Sequence, residues 1–368
     1  MIESIYIHIP FCSLKCPYCD FTSITINDLD IYNRYINTLL EELQLYRNNQ
    51  FFIKTIYFGG GTPSILEPKQ IGKIINYIKE NFNTADSIEI SIEMNPENYQ
   101  LEDFFRLKEL GVNRVSIGNQ SFLQKNLDNL GRLHKPENTF KAVENLSKAG
   151  IKNINLDLIF GIQGQTIDDL EKDLELYTAL DITHISAYML TPYEETPLGQ
   201  LVKKGEYQMP SEDLLSEMYI LIGEYLEEKG FHQYELSNWA KEGYQCKHNL
   251  SYWYLKEFLG IGVSSWSFVK NTRFGNTKNI YEYLNKISSG IKPILFKDKL
   301  DEKELLKEKI MLSLRLTEGV EKDLLKGKEK ELSLFLESGL CRLEGSRVKL
   351  TDRGFLLSNY IISQLLPD

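Results

Sequence analysis

Ile9-Pro10-Phe11-Cys12-Ser13-Leu14-Lys15-Cys16-Pro17-Tyr18-Cys19-Asp20 sets three cysteines, Cys12, Cys16 and Cys19, in one short run. A cubane 4Fe-4S cluster normally takes one thiolate at each of its four irons, so a closely spaced trio fills three corners and leaves one iron open to a substrate or cofactor. A structural zinc site is the plainer alternative. It wants four ligands, usually as two separated pairs, whereas the other two cysteines, Cys246 and Cys341, stand alone. His8 is available on paper as a fourth ligand, but the alternating run Ile5-Tyr6-Ile7-His8-Ile9 reads as a strand in which a hydrogen-bonded structural histidine is expected. A disulfide framework fits less well: five cysteines in 368 residues, with no signal peptide ahead of the first strand, describe a reducing, cytoplasmic compartment.

The CxxxCxxC spacing, with Tyr18 before the third cysteine, resembles the signature of the radical S-adenosylmethionine (SAM) superfamily. The resemblance implies a 4Fe-4S cluster held by Cys12, Cys16 and Cys19, its open iron chelated by the amino and carboxylate groups of SAM. By itself the spacing does not specify a substrate.

Composition is that of a globular protein with a large core, at 42% hydrophobic and 26% charged residues. No apolar stretch reaches the roughly 20 residues that span a bilayer, so an integral membrane protein is not expected. The net charge of −10 argues against a nucleic-acid partner, which needs a basic face, and against an anionic membrane surface.

Apolar, β-branched runs at Ser4 to Ile9, Thr55 to Phe58, Ser87 to Glu93, Arg114 to Gln120, Ile154 to Phe160 and His184 to Leu190 read as buried strands. Helical spacing of apolar residues separates them, as in Leu29, Tyr32, Ile36, Leu39, Leu40 and Leu43. Strand and helix alternating six times predict a parallel α/β sheet. Six strands are too few to close an eight-stranded barrel, so an open, partial (β/α)6 barrel is expected, matching the core implied by the resemblance.

Sites in parallel α/β folds gather at the C-terminal ends of the strands, and the distinctive polar residues fall there. The second strand runs into Gly59-Gly60-Gly61-Thr62-Pro63, either an ordinary turn or a place where backbone approaches a ligand. Glu93 closes the third strand, either as a solvated acid or as an acceptor for two ribose hydroxyls. Gln120 closes the fourth, Arg132 follows in Leu130-Gly131-Arg132-Leu133-His134, and Asp157 puts a charge into an apolar run, which is costly without a partner or a polar cavity. The resemblance assigns Gly60, Gly61, Thr62, Glu93, Gln120, Arg132 and Asp157 to the SAM pocket, with Tyr6 and Tyr18 packed near it. An internal Arg132 to Asp157 ion pair is the alternative.

Tyr6-Ile7-His8-Ile9-Pro10-Phe11-Cys12, Gly111-Val112-Asn113-Arg114-Val115-Ser116-Ile117-Gly118 and Asn155-Leu156-Asp157-Leu158-Ile159-Phe160-Gly161 resemble the oxygen-independent coproporphyrinogen III oxidase family, which contains the true oxidases and a branch of HemW-type heme chaperones. The oxidase pattern has a further cysteine two residues after the third, where this chain has Phe21, and a segment before the first strand, which this chain enters within its first few residues. Both departures point to the chaperone branch. His248-Asn249-Leu250-Ser251-Tyr252-Trp253 resembles that branch's His-Asn-x-x-Tyr-Trp phrase. An imidazole is a natural axial ligand for heme iron, so His248 is the candidate heme ligand; the alternative is that it packs or hydrogen-bonds at a domain junction. Cys246 is either a second contact or a buried filler.

Beyond the barrel, Glu212 to Lys229 reads as a helix, Tyr234 to Asn238 as a short strand and Ser288 to Leu300 as a linker. Helices over Lys303 to Leu316 and Lys322 to Gly339 and a hairpin from Cys341 to Leu350 then suggest a winged-helix-like tail. The expected division is a radical SAM partial barrel at 1–200, an α+β extension at 201–290 and a winged-helix-like domain at 291–368. The expected protein binds heme and passes it to acceptor heme proteins such as respiratory enzymes, with a true coproporphyrinogen III oxidase as the enzymatic alternative. Oligomeric state is left open, a homodimer included.

Overall fold

The expected strands form the centre of one large sheet in this computed structural model, which describes residues 1–26 and 28–367. They are β1 (Ile2–Ile9), β2 (Phe51–Gly60), β3 (Thr84–Met94), β4 (Arg114–Gln120), β5 (Asn153–Phe160) and β6 (His184–Met189), all parallel and in sequential order. The intervening helices are α1 (Leu29–Gln44), α2 (Pro68–Asn81), α3 (Leu101–Glu109), α4 (Gln124–Asn129), α5 (Pro136–Lys148) and α6 (Ile167–Thr178).

The sheet does not stop at six strands. Its other members are β7 (His232–Glu235), β8 (Asn238–Ala240), β9 (Phe258–Ile261), β10 (Trp266–Val269), β11 (Thr272–Asn276) and β12 (Ile294–Lys299), and the full order is β12-β11-β10-β9-β1-β2-β3-β4-β5-β6-β8-β7. Strand β9 pairs parallel with β1, whereas β8 closes the other side antiparallel to β6. The strands after residue 231 therefore extend the barrel sheet at both ends, and the barrel remains open.

Strict alternation along the strands builds the two faces. Ile5, Ile7, Ile56, Phe58, Ile90, Ile92, Val115, Ile117, Ile154 and Leu156 are buried against the helices, each contributing about 1.5–3 kcal/mol by leaving water. The intervening positions form cross-strand polar rows on the inner face: Tyr6, Tyr57, Ser91 and Arg114 in one, Ser116, Asn155 and His184 in the next. Asp157, which reads as an interruption in an apolar run, is an ordinary inward position beside Ser186.

The segment 288–300, expected as a linker, instead contains edge strand β12. Gly275 stands between Trp266 and Phe296 in the register, and the two rings meet across it at 5.4 Å. Without that partner strand the acidic and basic residues of Ile294-Leu295-Phe296-Lys297-Asp298-Lys299 obscure the strand pattern. The short strand expected at 234–238 is the pair β7 and β8, turning between them. In the tail, a helix over Glu302–Ser313 forms as expected, whereas the helix expected over 322–339 splits into a 3-10 turn, Lys322–Leu325, and an α-helix, Glu329–Glu337. Gly327, in the left-handed region at φ +89°, makes the break. A small sheet of Val320–Glu321, Cys341–Glu344 and Arg347–Leu350 forms the wing. Among the described residues no helix is long and apolar enough to cross a membrane.

Candidate functional site

Cys12 ends a short strand, Phe11–Cys12, paired with Ile24–Thr25, so the cysteine loop is pinned at both ends. Phe11 is clamped by Tyr32 and Tyr35, with ring centroids at 4.5 and 5.2 Å. The glycine turn after β2 lies along this strand: Gly61 N donates to Ile9 O and Thr62 N to Phe11 O, both at 2.8 Å. A methyl group on Gly61 would stand 2.7 Å from Phe11 O and 2.9 Å from Cys12 Sγ, so this approach requires glycine. Thr62 Oγ1 donates to Cys12 Sγ at 3.5 Å, and Arg132 Nη1 lies 3.6 Å from Cys16 Sγ. All three thiols are free.

His8 is a hydrogen-bonded strand residue and not a fourth ligand. Its Nε2 meets Thr22 O at 2.9 Å, its Nδ1 meets Tyr6 Oη at 3.2 Å, and burial pushes the imidazole down to about 4. Among the described residues no three His, Cys, Asp or Glu side chains are set to hold a single metal ion. A cubane presents a separate iron to each thiolate, so its three cysteines need not share one point. The donor set of three soft thiols, with a guanidinium against one and a side-chain-free turn against another, fits such a cluster.

Above this loop the strand ends converge. Tyr57 Oη donates to Glu93 Oε1 at 2.9 Å and Gly60 N to Glu93 Oε2 at 3.2 Å, while Tyr6 stacks on Tyr57 at 6.2 Å. Burial pushes Glu93 up to about 7 and Asp157 up to about 6. Asp157 accepts from Asn155 Nδ2 at 2.8 Å and Ser116 Oγ at 3.4 Å. Arg132 Nη2 donates to Asn95 Oδ1 at 2.9 Å and Gly118 O at 2.7 Å. The alternative Arg132 to Asp157 pair is therefore not formed: each has other partners. Gln120 takes φ +68°, and a methyl group on Gly118 would lie 3.0 Å from Gln120 Nε2 and 3.3 Å from Arg132 Nη2, so this glycine leaves room for both. Tyr18 packs on the small cluster of Leu130, Ile159, Ile162, Leu190 and Leu198 at the barrel mouth, and burial raises its phenol.

Four residues that matter here were not singled out from the sequence. Tyr57 and Asn95 hold Glu93 and Arg132. The charge of buried Arg114 favours the ionised forms of both Glu93 and Asp157 and partly offsets their burial. Asp173, on α6, accepts from Ser121 Oγ at 2.6 Å and Phe122 N at 2.5 Å, fixing the turn next to Gln120. Tyr57 and Arg114 carry a legible signal, because they occupy the inward positions of alternating strands; Asn95 and Asp173 carry none that precedes the fold.

The structure places His248, the candidate heme ligand, in the packed and hydrogen-bonded position of the alternative reading. It is 1% exposed, on helix α7 (Lys247–Trp253), with Nδ1 meeting Thr55 Oγ1 and Nε2 meeting Tyr252 Oη, each at 2.7 Å. Burial pushes its imidazole down to about 3. Both ring nitrogens are engaged in hydrogen bonds. Cys246 is likewise buried, its Sγ 3.8 Å from Glu89 Oε1.

The family model of the radical SAM superfamily matches residues 6–177, and that of the HemN C-terminal domain matches residues 300–357. The solved structure of coproporphyrinogen III oxidase (HemN) from Escherichia coli superposes with a TM-score of 0.86 at 20% identity, covering 99% of this chain and 90% of that one, a likeness of fold. The chain belongs to the radical SAM superfamily, as its cysteine loop and open α/β barrel indicate. It is 34% identical to the heme chaperone HemW of Bacillus subtilis (strain 168) over 100% of both chains, and 32% identical to that of Lactococcus lactis over 100% of this chain and 98% of the relative. Within the superfamily it therefore belongs to the HemW family.

Proposed function

We propose that this chain is a cytoplasmic heme chaperone that binds heme and transfers it to acceptor heme proteins, using a radical SAM scaffold. The observation that carries the reading is the end-to-end similarity to relatives named heme chaperone, at 34% identity over the whole of both chains. Phe21, 66% exposed, occupies the position of the oxidase's additional cysteine, which supports the same branch.

Cys12, Cys16 and Cys19 would hold the 4Fe-4S cluster, which supplies a redox-active iron with one open coordination position. Arg132 would place positive charge beside the Cys16 sulfur and the carboxylate of SAM. Glu93 would accept the ribose hydroxyls, Gly60 and Gly61 would offer backbone to the methionine end with Thr62 against Cys12, and Gln120 and Asp157 would close the pocket with Tyr6 and Tyr18 at its edges. The chain would divide into parts at 1–200, 201–290 and 291–368, with the first two and the start of the third, through β12, sharing one sheet and the rest of the tail standing as a partner-docking unit.

The test is titration of anaerobically reconstituted protein with heme, followed by mixing with a heme-free acceptor. Saturable binding and transfer are expected. Absence of saturable binding, or decarboxylation of coproporphyrinogen III in the presence of SAM and a reductant at useful rates, would overturn the proposal in favour of the oxidase.

A further inference from the structure

Helix α7 carries the His-Asn-x-x-Tyr-Trp phrase, and it lies as a plug under the inner face of the barrel. Three strands hold it. The amides of Lys247 and His248 each donate at 3.1 Å to the Glu89 carboxylate on β3. Thr55 on β2 meets His248 Nδ1, and Ser4 Oγ on β1 donates to Ser251 Oγ at 3.1 Å. Tyr252, one turn further along the helix, fixes the other ring nitrogen. The imidazole thus has a single orientation, locked at both nitrogens and buried.

Its face is turned to the rings beneath the pocket. His248 stacks on Tyr57 with centroids 5.0 Å apart and planes at 26°, and it tilts against Tyr6 at 6.4 Å. Tyr57 is the residue whose hydroxyl donates to Glu93 Oε1. Thr55 and Tyr57 are successive inward positions on β2, so the same strand presents the group that grips His248 and the ring that His248 supports. A continuous path of contacts runs from the signature helix through His248 and Tyr57 to Glu93.

We propose that His248 is a positioning residue for the SAM pocket: it fixes the Tyr57 ring so that the phenol holds Glu93 in the orientation that receives the ribose. The inference rests on the reading of this pocket as the SAM site. It gives the family phrase a role in a different ligand site from the heme contact suggested by its imidazole. Residues that support a ligand group from behind typically change affinity by about ten- to a hundredfold when removed.

The test uses the full-length, cluster-loaded protein under anaerobic conditions. SAM affinity is measured by equilibrium dialysis and by the SAM-dependent change in the electron paramagnetic resonance spectrum of the reduced cluster, with heme titrations on the same preparations. His248→Ala and Tyr57→Phe are each expected to weaken SAM at least several-fold, with a smaller spectral change at subsaturating SAM, and to leave the heme titration as in the unaltered protein. Unchanged SAM affinity in His248→Ala together with lost heme binding would overturn the proposal. Should His248→Ala not fold, Tyr57→Phe decides, because it removes one hydroxyl and keeps the ring: unaltered SAM affinity there breaks the path to Glu93. Failure of the unaltered protein to bind SAM would instead remove the pocket reading on which the inference stands.

Discussion

One guanidinium ties the cysteine loop to two strand ends: Arg132 Nη1 lies 3.6 Å from Cys16 Sγ, while Nη2 donates to Gly118 O and Asn95 Oδ1. Burial disfavours the Arg132 cation, but the neighbouring Tyr18 and Cys16 outweigh that cost and make it hold its proton more tightly than usual. It can therefore balance negative charge at the thiolates without giving up its proton.

Arg132→Ala is expected to weaken SAM binding by about tenfold or more, since hydrogen bonds to a charged group contribute about 1.5–3 kcal/mol each. Arg132→Lys should recover little of this, because an ammonium cannot reach a sulfur, a carbonyl and an amide through one planar fork. Equilibrium dialysis of the cluster-loaded variants measures it, and equal affinity in all three proteins would refute the assigned role.

Gly61→Ala places a methyl group against Phe11 O and Cys12 Sγ, both closer than a carbon normally approaches. Backbone must shift to admit it, at a cost of about 1–3 kcal/mol. Reduced iron and sulfide content after reconstitution, alongside a lower thermal midpoint, is the expected pair of results; full cluster content would show that the turn yields without disturbing Cys12.

Asp173→Ala leaves Phe122 N and the Ser121 hydroxyl without their acceptor in a buried turn. Each orphaned donor costs about 1–3 kcal/mol. Gln120, held at φ +68° just before this turn, then loses the constraint that keeps it left-handed. Chemical denaturation should register the lost stability, and amide hydrogen exchange should show faster exchange across 121–126. Unchanged protection in that segment would contradict the argument.

Glu42 governs a pH dependence. Its buried carboxylate accepts from Tyr283 Oη at 2.6 Å, Gly262 N at 2.7 Å and Asn276 Nδ2 at 2.7 Å, with Tyr35, Tyr46 and Lys292 also facing it. Burial nevertheless raises it from 4.5 to about 7. The folded protein thus retains a proton that the unfolded chain has released between those values. This group's contribution to stability is greatest below pH 4.5, declines as pH rises through the window and levels off above about 7, by up to about 3 kcal/mol. Glu42→Gln removes that component, so its thermal midpoint should vary less between pH 5 and 7 than that of the unaltered protein. Parallel profiles would exclude Glu42 as the source.

The sequence carried the barrel because its information is local and periodic. β-Branched runs and apolar helical spacing alternate from Ile2 to Met189, and Glu93 and Gln120 stand at the ends of such runs. Strand β12 was hidden, because Leu295, Phe296 and Lys297 acquire a strand pattern only beside β11, where Gly275 lets Trp266 and Phe296 meet. Asn95 and Asp173 were equally invisible, being ordinary polar residues whose roles come from what lies across the fold.

By itself, the order of residues determined the thiol trio, the alternating α/β core and the strand-end positions of Glu93 and Gln120, since coordination number and side-chain periodicity follow from spacing along the chain. Tertiary structure alone decided that Arg132 meets Cys16 and not Asp157, and that His248 is enclosed between Thr55 and Tyr252. Those pairings depend on which surfaces exclude water together, and contacts across 116 or 193 positions of separation leave no periodic trace in the chain.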